Sequence, residues 1–278
     1  MGATLPGGKC VSLPAGVRLT GTRLDPILQS VAVRAGERQP VERIATAGSL
    51  ELFRTALGAP GLSLIAECKR RAPSVGQLSK EVDLAWRAQA YARGGAAALS
   101  ILTEEEHFGG HPRDLAAVQS AGLPLLRKDF LISTQMVLES VPMGADGVLL
   151  ICACLEDALL EELAVCAREQ GLFTLVEIHD EGELERAARL DCASIGVGAI
   201  GVNARDLRDF SIDLATVERI LPLIPEGVMS VAESGLYGPE DLLRVRAAGA
   251  DAALVGTALM RSEDPEATLR SWREVLEV

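Results

Sequence analysis

The sequence predicts an α/β protein, a (β/α)8 TIM barrel with an N-terminal helical extension. From Ser63 onward, eight short apolar segments alternate with charged, Ala-rich segments that have helical periodicity. The residues that close these apolar segments are 22 to 34 positions apart, which is the length that a strand, its loops and a crossover helix need. A doubly wound sheet is the alternative architecture for such a repeat.

The order of elements follows from this repeat. The predicted strands lie at positions 63–68, 97–102, 123–126, 147–151, 173–178, 199–202, 228–232 and 252–255. The predicted helices lie at positions 83–93, 134–141, 158–169, 181–190, 214–221, 239–247 and 265–276. Two Gly-Ala-Asp turns, which begin at Gly144 and Gly249, lead from a helix into the next strand. Glycine at such a turn can adopt the left-handed conformation that ends a helix.

The start of the chain does not share this repeat and is interpreted as an extension. Positions 24–33 and 50–56 have helical patterns, so residues 1–60 are expected to add one or two helices that cover an end of the barrel. Residues 61–278 are then expected to form the barrel, which is the catalytic domain.

Composition limits the partners and the cellular location that we expect. The net charge of -12 disfavours nucleic acid, because phosphate contacts need a basic surface. The six cysteines form no CxxC pair and are expected to be buried thiols in a reducing compartment. No segment approaches the roughly 20 apolar residues of a membrane span, and no signal peptide is recognised. We therefore expect a cytoplasmic protein that binds neither nucleic acid nor membrane.

Charged side chains occur at the ends of three predicted strands. In the first strand, a period of two places Glu67 and Lys69 on one face, near the barrel rim. Lys128 follows the third strand, and Glu177 lies among apolar residues of the fifth. For one such pair, a structural salt bridge without a functional role is as good an explanation as a catalytic site. Four buried charges from three strands would be a poor route to stability, so convergence on a functional site is the simpler interpretation.

Polar and small residues follow three further strands. Asn203 closes the sixth strand and Arg205 follows it; beside the charged residues, Asn203 becomes a candidate contact for a substrate, although such an asparagine is often a turn residue. Ser234 and Gly235 after the seventh strand, and Gly256 and Thr257 after the eighth, provide the loops in which barrels commonly bind phosphate.

Other patterns are set aside. The segment Gly196 to Gly201 matches GxGxxG, but it enters a strand instead of opening a helix, so it does not predict a dinucleotide site. His107, His111 and His179 lack metal-ligand spacing, and His179 is interpreted as a residue at a helix entry or behind the catalytic groups. The acidic run that begins at Glu104 is interpreted as a solvated loop.

With these residues identified, the chain resembles the indole-3-glycerol phosphate synthase family from about Ser63 to Met260. Six motifs carry the resemblance in order, each at a strand end: IAECKR (65–70), SILTE (100–104) with FGG (108–110), LRKDF (126–130), LVEIHD (175–180), GVNARDL (201–207) and VAESG (231–235). The resemblance implies an enzyme of tryptophan biosynthesis, a monomer or weak homo-oligomer that acts on a small phosphorylated substrate.

The resemblance also implies roles by motif position. The catalytic residues would be Glu67, Lys69, Lys128, Glu177, Asn203 and Ser234. The substrate-binding residues would be Glu233, Arg205 near the substrate carboxylate, and Phe108 and Phe130 at the anthranilate ring. The phosphate-binding residues would be Ser74, Gly235, Gly256 and Thr257.

The implied reaction converts 1-(2-carboxyphenylamino)-1-deoxyribulose 5-phosphate into indole-3-glycerol phosphate, CO2 and water. Our hypothesis makes Lys128 the acid that protonates the ketone oxygen during ring closure. Ring closure leaves an iminium that is the electron sink for decarboxylation, so no cofactor and no metal are expected. Glu177 is the candidate base of the dehydration, with Lys69 as second acid and Glu67 as its orienting partner. Exchanging roles in this step would not change any motif.

One position departs from the family pattern. The motif after the first strand reads K-[KR]-x-S-P-S-x-G, and this chain has Ala72 where the first serine is expected, while Ser74 remains. Loss of one neutral hydrogen bond costs about 0.5–1.5 kcal/mol, so we expect weaker phosphate binding and retained activity. Two other readings stay open: another phosphate-binding barrel, such as a phosphoribosyl isomerase, and an inactive barrel that serves as a scaffold.

Overall fold

The computed structural model describes residues 3–4, 10–11, 13–36, 49–72, 76–77 and 83–276, and its central feature is a closed barrel. The barrel strands are β1 (Ser63–Cys68), β2 (Ala98–Leu102), β3 (Leu125–Lys128), β4 (Gly147–Ile151), β5 (Phe173–Ile178), β6 (Val197–Asn203), β7 (Met229–Glu233) and β8 (Ala252–Val255). Each strand pairs in parallel with the next along the chain, and β8 pairs with β1 to close the barrel. The predicted TIM barrel is therefore confirmed, and the doubly wound sheet is excluded.

Helices surround the barrel and precede it. They are α1 (Asp25–Gly36), α2 (Ser49–Leu57), α3 (Leu84–Gly94), α4 (Arg113–Val118), α5 (Thr134–Ser140), α6 (Asp157–Glu169), α7 (Glu181–Arg189), α8 (Cys192–Ile195), α9 (Leu214–Ile220), α10 (Pro239–Ala247), α11 (Thr257–Arg261) and α12 (Pro265–Leu276). The sequence did not predict α4, α8 and α11, because segments of six residues or fewer span less than two helical turns and are too short to show a repeated apolar period. Of the described helices, none is long and apolar enough to cross a membrane.

The third strand lies two residues later than predicted. Pro124 has no backbone N–H to donate, and β3 begins at Leu125 and continues to Lys128, which pairs with Leu102 of β2. Lys128 is thus held by the barrel itself and not by a loop that follows it.

The two Gly-Ala-Asp turns have the same construction. Gly144 and Gly249 have φ angles of 89° and 98°, in the left-handed region that the sequence predicted. The carboxylate of Asp146 accepts the N–H of Leu125 at 3.0 Å, and that of Asp251 accepts the N–H of Ser230 at 2.7 Å. Each turn therefore ties the start of one strand to the start of its neighbour.

The two helices before the barrel cover opposite ends of it. On α2, Phe53 stacks on Phe173 at the start of β5, with 4.6 Å between ring centroids. On α1, Ile27 faces a cavity at the other end, where the strands finish. The side chains of Phe53, Ile27 and Phe173 are all buried. The extension thus closes the amino-terminal end of the barrel with one helix and borders the carboxyl-terminal end with the other.

The segment that matches GxGxxG is part of the barrel wall. Gly196 ends α8 in a left-handed conformation, and β6 then begins at Val197. A Cβ atom at Gly198 would lie 2.2 Å from the ring of Phe173, so the glycine makes room for an aromatic ring. The interpretation of this motif as a strand entry is confirmed.

Candidate active site

Most of the predicted site residues line one cavity at the carboxyl-terminal ends of the strands. The cavity measures about 1060 Å³ including its open mouth. Its walls include thirteen of the residues predicted from the sequence: Glu67, Lys69, Phe108, Lys128, Phe130, Glu177, Asn203, Arg205, Glu233, Ser234, Gly235, Gly256 and Thr257. Ser74, the remaining predicted residue, lies outside the described residues. The structure therefore brings together residues from seven strands and their loops at one end of the barrel.

The first strand contributes a close ion pair. Glu67 Oε1 lies 2.6 Å from Lys69 Nζ, and the side chains are 3% and 13% exposed. A Cβ atom at Gly256 would lie 2.3 Å from the Glu67 carboxylate and 2.7 Å from Lys69 Nζ. Only glycine after β8 leaves room for this pair, so the loop that was predicted to bind phosphate also determines the position of the charges on β1.

The third, fifth and seventh strands contribute three titratable side chains that lie close together. Lys128 Nζ donates to Glu177 Oε2 at 2.9 Å and to Glu233 Oε2 at 3.2 Å. Both carboxylates are almost completely buried, and Lys128 is 17% exposed toward the cavity. Both acids thus accept a hydrogen bond from the same ammonium.

Lys128, Glu177 and Glu233 shift one another's pKa values. Burial lowers the pKa of Lys128, but the charges of Glu177 and Glu233 outweigh burial and the net direction is upward. Burial raises the pKa of Glu177, whereas the Lys128 ammonium and the nearby His179 ring reverse this and hold it well below its usual range. For Glu233, burial dominates and raises the pKa to about 8. At neutral pH the site therefore holds a charged lysine, an ionised glutamate and a protonated glutamic acid.

A second group of polar residues follows the sixth strand. Asn203 Oδ1 accepts the backbone N–H of Arg205 at 3.0 Å, and Arg205 Nη1 donates to the backbone carbonyl of Phe210 at 3.1 Å. Phe210 has a φ angle of 65°, which is uncommon for a residue with a bulky side chain. The loop after β6 is thereby folded back so that Asn203, Arg205 and Phe210 all face the cavity.

The loops after the last two strands have the small residues and the backbone conformations that the phosphate prediction needs. Ser234 and Gly235 have consecutive positive φ angles of 64° and 75°. After β8, Gly256 occupies the position before α11, which has no side-chain cap at its first turn. Both loops border the cavity, and Gly256 lies beside the Glu67–Lys69 pair.

The apolar wall of the cavity contains two aromatic rings on different loops. The rings of Phe108 and Phe130 are 6.1 Å apart and tilted by 36°. The loop of Phe108 is held by Glu104, whose carboxylate accepts the backbone N–H groups of residues 106, 107 and 108 at 2.7 to 3.1 Å. Arg34 on α1 also donates to Glu104 at 2.6 Å. The expectation of a solvated loop is wrong for Glu104, because this residue is 1% exposed and anchors the loop.

Sequence reasoning missed several cavity residues. Leu24 and Ile27 come from the extension, and Phe210 and Tyr237 come from the loops after β6 and β7. None of them has a signal in strand periodicity, because each reaches the cavity from a loop or a helix outside the barrel. His179 was assigned to a place behind the catalytic groups, and its Nε2 atom does lie 3.3 Å from Glu177 Oε1.

Fold and site together define a class of protein: a TIM-barrel enzyme with acid and base groups at the ends of alternate strands. The family model of indole-3-glycerol phosphate synthase matches residues 31–272. The indole-3-glycerol phosphate synthase of Nocardioides sp. (strain JS614) is 45% identical over 261 residues, which cover 89% of this chain and 96% of that protein. The synthase of Parafrankia sp. (strain EAN1pec) is 46% identical over 250 residues, which cover 87% and 90%.

The chain belongs to the indole-3-glycerol phosphate synthase family, and with it to the decarboxylating lyases of tryptophan biosynthesis. The resemblance read from six motifs is confirmed over most of the chain. The isomerase and scaffold readings are set aside. A solved structure of thiamine phosphate pyrophosphorylase from Pyrococcus furiosus has a TM-score of 0.53 at 16% identity, covering 78% of this chain and 96% of that one. That likeness shows the shared barrel and no more.

Proposed function

We propose that Lys128, Glu177 and the Glu67–Lys69 pair divide the acid and base chemistry by which this enzyme makes indole-3-glycerol phosphate. The substrate is 1-(2-carboxyphenylamino)-1-deoxyribulose 5-phosphate, as the sequence resemblance implies. The observation that carries the proposal is the position of Lys128 Nζ, which faces the cavity between two buried carboxylates. Titratable groups whose surroundings shift their pKa values in opposite directions mark the acid and the base of a site. Lys128, Glu177 and Glu233 at the ends of their strands have this property.

The first step is ring closure. The aromatic carbon that carries the carboxylate attacks the ketone carbon, and the ketone oxygen takes a proton from the Lys128 ammonium. The ionised Glu177 keeps Lys128 charged in the free enzyme. A substrate oxygen that approaches Nζ competes with Glu177 and Glu233 for its protons. The ring nitrogen becomes an iminium, which accepts the electron pair released when the carboxylate leaves as CO2.

The last step is dehydration. A base removes a proton from the new five-membered ring, and an acid protonates the hydroxyl that leaves as water. Glu177 is ionised and is our proposed base. Two groups are placed to be the acid: Lys69, which Glu67 orients at 2.6 Å, and Glu233, whose pKa of about 8 keeps it protonated at neutral pH. Lys69→Met and Glu233→Gln are compared by the appearance of indole fluorescence after rapid mixing. The variant in which this step slows more identifies the donor.

The remaining residues bind and orient the substrate. We assign the phosphate to Ser234, Gly235, Gly256 and Thr257, whose loops lie side by side at the last two strands. The anthranilate ring packs against Phe108 and Phe130, and Arg205 faces its carboxylate. Asn203 orients the ribulose hydroxyl groups, because its side-chain oxygen already accepts an N–H bond and its amide N–H2 remains for the substrate. A small misplacement here costs about a hundredfold in rate.

The expectations about organisation are also part of this proposal. Residues 1–60 act as an extension of a catalytic barrel that covers residues 61–278. Ala72 weakens phosphate binding without abolishing turnover. The enzyme works in the cytoplasm as a monomer or weak homo-oligomer. A sedimentation experiment at micromolar concentration tests the last point, and cell fractionation tests the location.

The experiment that tests the proposal is a fluorescence assay for indole formation. The wild-type protein is expected to convert the substrate, and Lys128→Met is expected to lower kcat by about 10²–10⁴-fold, the contribution typical of a general acid. The matched control is Arg54→Met, an exposed cation on α2 that pairs with Glu51 at 3.4 Å, far from the cavity. Turnover by Lys128→Met at the wild-type rate would remove this residue from the acid role.

A further inference from the structure

A buried histidine that the proposed reaction does not use lies directly behind Glu177. His179 follows β5, and the strand period of two places it on the same side as Glu177. Its ring lies between two carboxylates: Nε2 is 3.3 Å from Glu177 Oε1, and Nδ1 is 3.1 Å from Glu183 Oε2. The side chain of His179 is 10% exposed. The imidazole therefore connects a residue of the cavity with a residue of α7.

Glu183 is fixed by the start of its own helix. Asp180 caps α7 and accepts the backbone N–H of Glu183 at 2.8 Å. The Glu183 carboxylate reaches back and accepts the backbone N–H of His179 at 2.9 Å with the same oxygen that faces Nδ1. One oxygen thus holds both the backbone and the ring of His179. With this hydrogen bond, Nδ1 carries a proton and donates it to Glu183, and Nε2 is turned toward Glu177.

The contact between His179 and Glu177 is close but not a well-directed hydrogen bond. Nε2 is buried and has no partner with good hydrogen-bond geometry, although Glu177 Oε1 is only 3.3 Å away. The other oxygen of Glu177 faces Lys128 at 2.9 Å. Each carboxylate oxygen of Glu177 therefore has a nitrogen atom beside it. Of these two contacts, the one with Lys128 is a direct hydrogen bond and the one with His179 is not.

The surroundings favour the protonated ring. Burial lowers the pKa of His179, but its interactions with Glu177 and Glu183 reverse this and raise it to about 10. Charged or titratable groups reach this region from six elements: Lys128 on β3, Glu233 on β7, Asp206 after β6, Cys154 after β4, Arg186 on α7 and Arg18 before α1. The two glutamates are the contacts that face the ring directly. The ring is thus an imidazolium at neutral pH.

We propose that His179, anchored by Glu183, is a positioning residue that holds one oxygen of Glu177 and keeps the carboxylate ionised while Lys128 gives its proton to the substrate. When the Lys128 ammonium becomes a neutral amine, Glu177 loses the charge that pairs with its outer oxygen. A carboxylate alone in a buried site would take up a proton, and the base would be lost. The imidazolium on the inner oxygen supplies the remaining positive charge. No proton leaves His179 in this sequence, and the proton that Glu177 later accepts comes from the substrate.

The first test compares three variants by kcat, KM and the pH dependence of kcat. His179→Gln is expected to lower kcat by about 10–100-fold with KM changed less than about threefold, because substrate contacts are kept and the base is misplaced. The acidic limb of the kcat profile is expected to move to higher pH by about one unit or more, because Glu177 loses a neighbouring positive charge. Glu183→Gln is expected to move the limb in the same direction by less. Glu185→Gln is the matched control, because Glu185 is exposed on the same helix and pairs with Arg189. This variant is expected to leave kcat and the acidic limb of its pH profile unchanged.

The outcomes separate a positioning role from a structural one. A fall in kcat with an unmoved acidic limb would show that His179 only supports the fold, and this would overturn the inference. The same holds for a His179→Gln enzyme with wild-type kcat. The inference rests on the proposed role of Glu177, so Glu177→Gln is assayed beside it. If Glu177→Gln retains wild-type turnover, the proposed role of Glu177 is wrong. If Glu177→Gln loses turnover but His179→Gln has wild-type kinetics, only the inference about His179 is wrong.

A second measurement is made on the wild-type enzyme and uses a variant only to assign one signal. The chain has three histidines, and their ring nitrogens can be followed by 15N NMR in the wild-type enzyme. One imidazole is expected to stay protonated through pH 8, and its signal is expected to be absent from spectra of His179→Gln. Three imidazoles that all titrate near pH 6.5, the ordinary value for histidine, would contradict the inference.

Discussion

The two ends of the barrel are covered by successive helices of one extension, but they are built from opposite kinds of side chain. At the amino-terminal end, Phe53 of α2 stacks on Phe173, and both rings are at most 1% exposed. At the carboxyl-terminal end, α1 faces a cavity whose floor holds charged groups, among them Lys128 between two carboxylates. The strands are the same at both ends, so the difference lies in what their terminal residues contribute.

This difference shows how the fold separates stability from chemistry. Stacked aromatic rings remove apolar surface from water and stabilise the folded state. Buried ion pairs contribute little net stability, because the loss of hydration offsets their attraction. Charges at the carboxyl-terminal end are therefore expected to matter for turnover, and apolar contacts at the amino-terminal end are expected to matter for folding. Substitutions at each end test whether this separation holds.

The largest expected effect on stability is at the amino-terminal end. Phe53→Ala is expected to lower the free energy of unfolding by about 3–5 kcal/mol, because it removes a fully buried ring and leaves a cavity beside Phe173. At a temperature where the variant stays folded, kcat is expected to stay within about twofold of wild type. Denaturant unfolding and the indole assay measure the two quantities. Leu52→Ala, at an exposed position of the same helix, is the control, and an equal loss of stability there would contradict the assignment.

A smaller effect, on turnover, is expected at the carboxyl-terminal end. Gly256→Ala places a Cβ atom against the Glu67 carboxylate and Lys69 Nζ, so the ion pair must shift. We expect kcat to fall about 10–100-fold, which is typical when a catalytic group is displaced by about 1 Å. Steady-state kinetics measure this. Gly238→Ala is the matched control, because a Cβ atom there meets nothing within 4 Å and its φ angle is -167°. Equal kinetics for the two variants would argue against a role for the β1 pair.

Much of the fold and most of the site were predictable from the sequence, for a local reason. Apolar segments with a period of two mark strands, and the polar residue that closes each segment must lie at the same rim when the strands are parallel. That argument placed Glu67, Lys69, Lys128 and Glu177 together. It needed no knowledge of which strands are neighbours, because a closed barrel brings all eight strand ends to one cavity.

The rest depends on contacts between distant parts of the chain. Glu104 was read as solvated, since its partner Arg34 lies 70 positions away on α1. The raised pKa of Glu233 depends on its burial and then on its nearness to Glu177, and neither the strand pattern nor the motif contains these. His179 is an intermediate case. The spacing of four between His179 and Glu183 was visible, but the meaning of the spacing depends on Asp180 acting as the helix cap.

The smallest expected effect concerns the link between α1 and the cavity. Arg34→Met removes the donor on Glu104, whose carboxylate keeps its three backbone N–H bonds. The loop of Phe108 is then held less firmly, and we expect KM to rise about two- to tenfold, equivalent to about 0.5–1.4 kcal/mol, with kcat little changed. Substrate titration measures KM. A change in kcat without a change in KM would place Arg34 in the chemistry instead of in loop positioning.

The separation of stability from chemistry is tested most directly by a double variant of the first strand. Glu67→Gln with Lys69→Met removes both charges of one buried pair and leaves neither partner alone, so the free energy of unfolding is expected to change by less than about 1 kcal/mol or to rise. The kcat of the same protein is expected to fall by about 10²-fold or more. Both values are obtained from one preparation by denaturant unfolding and the indole assay. Wild-type turnover together with a stability loss of several kcal/mol would contradict the account, because the pair would then serve the fold.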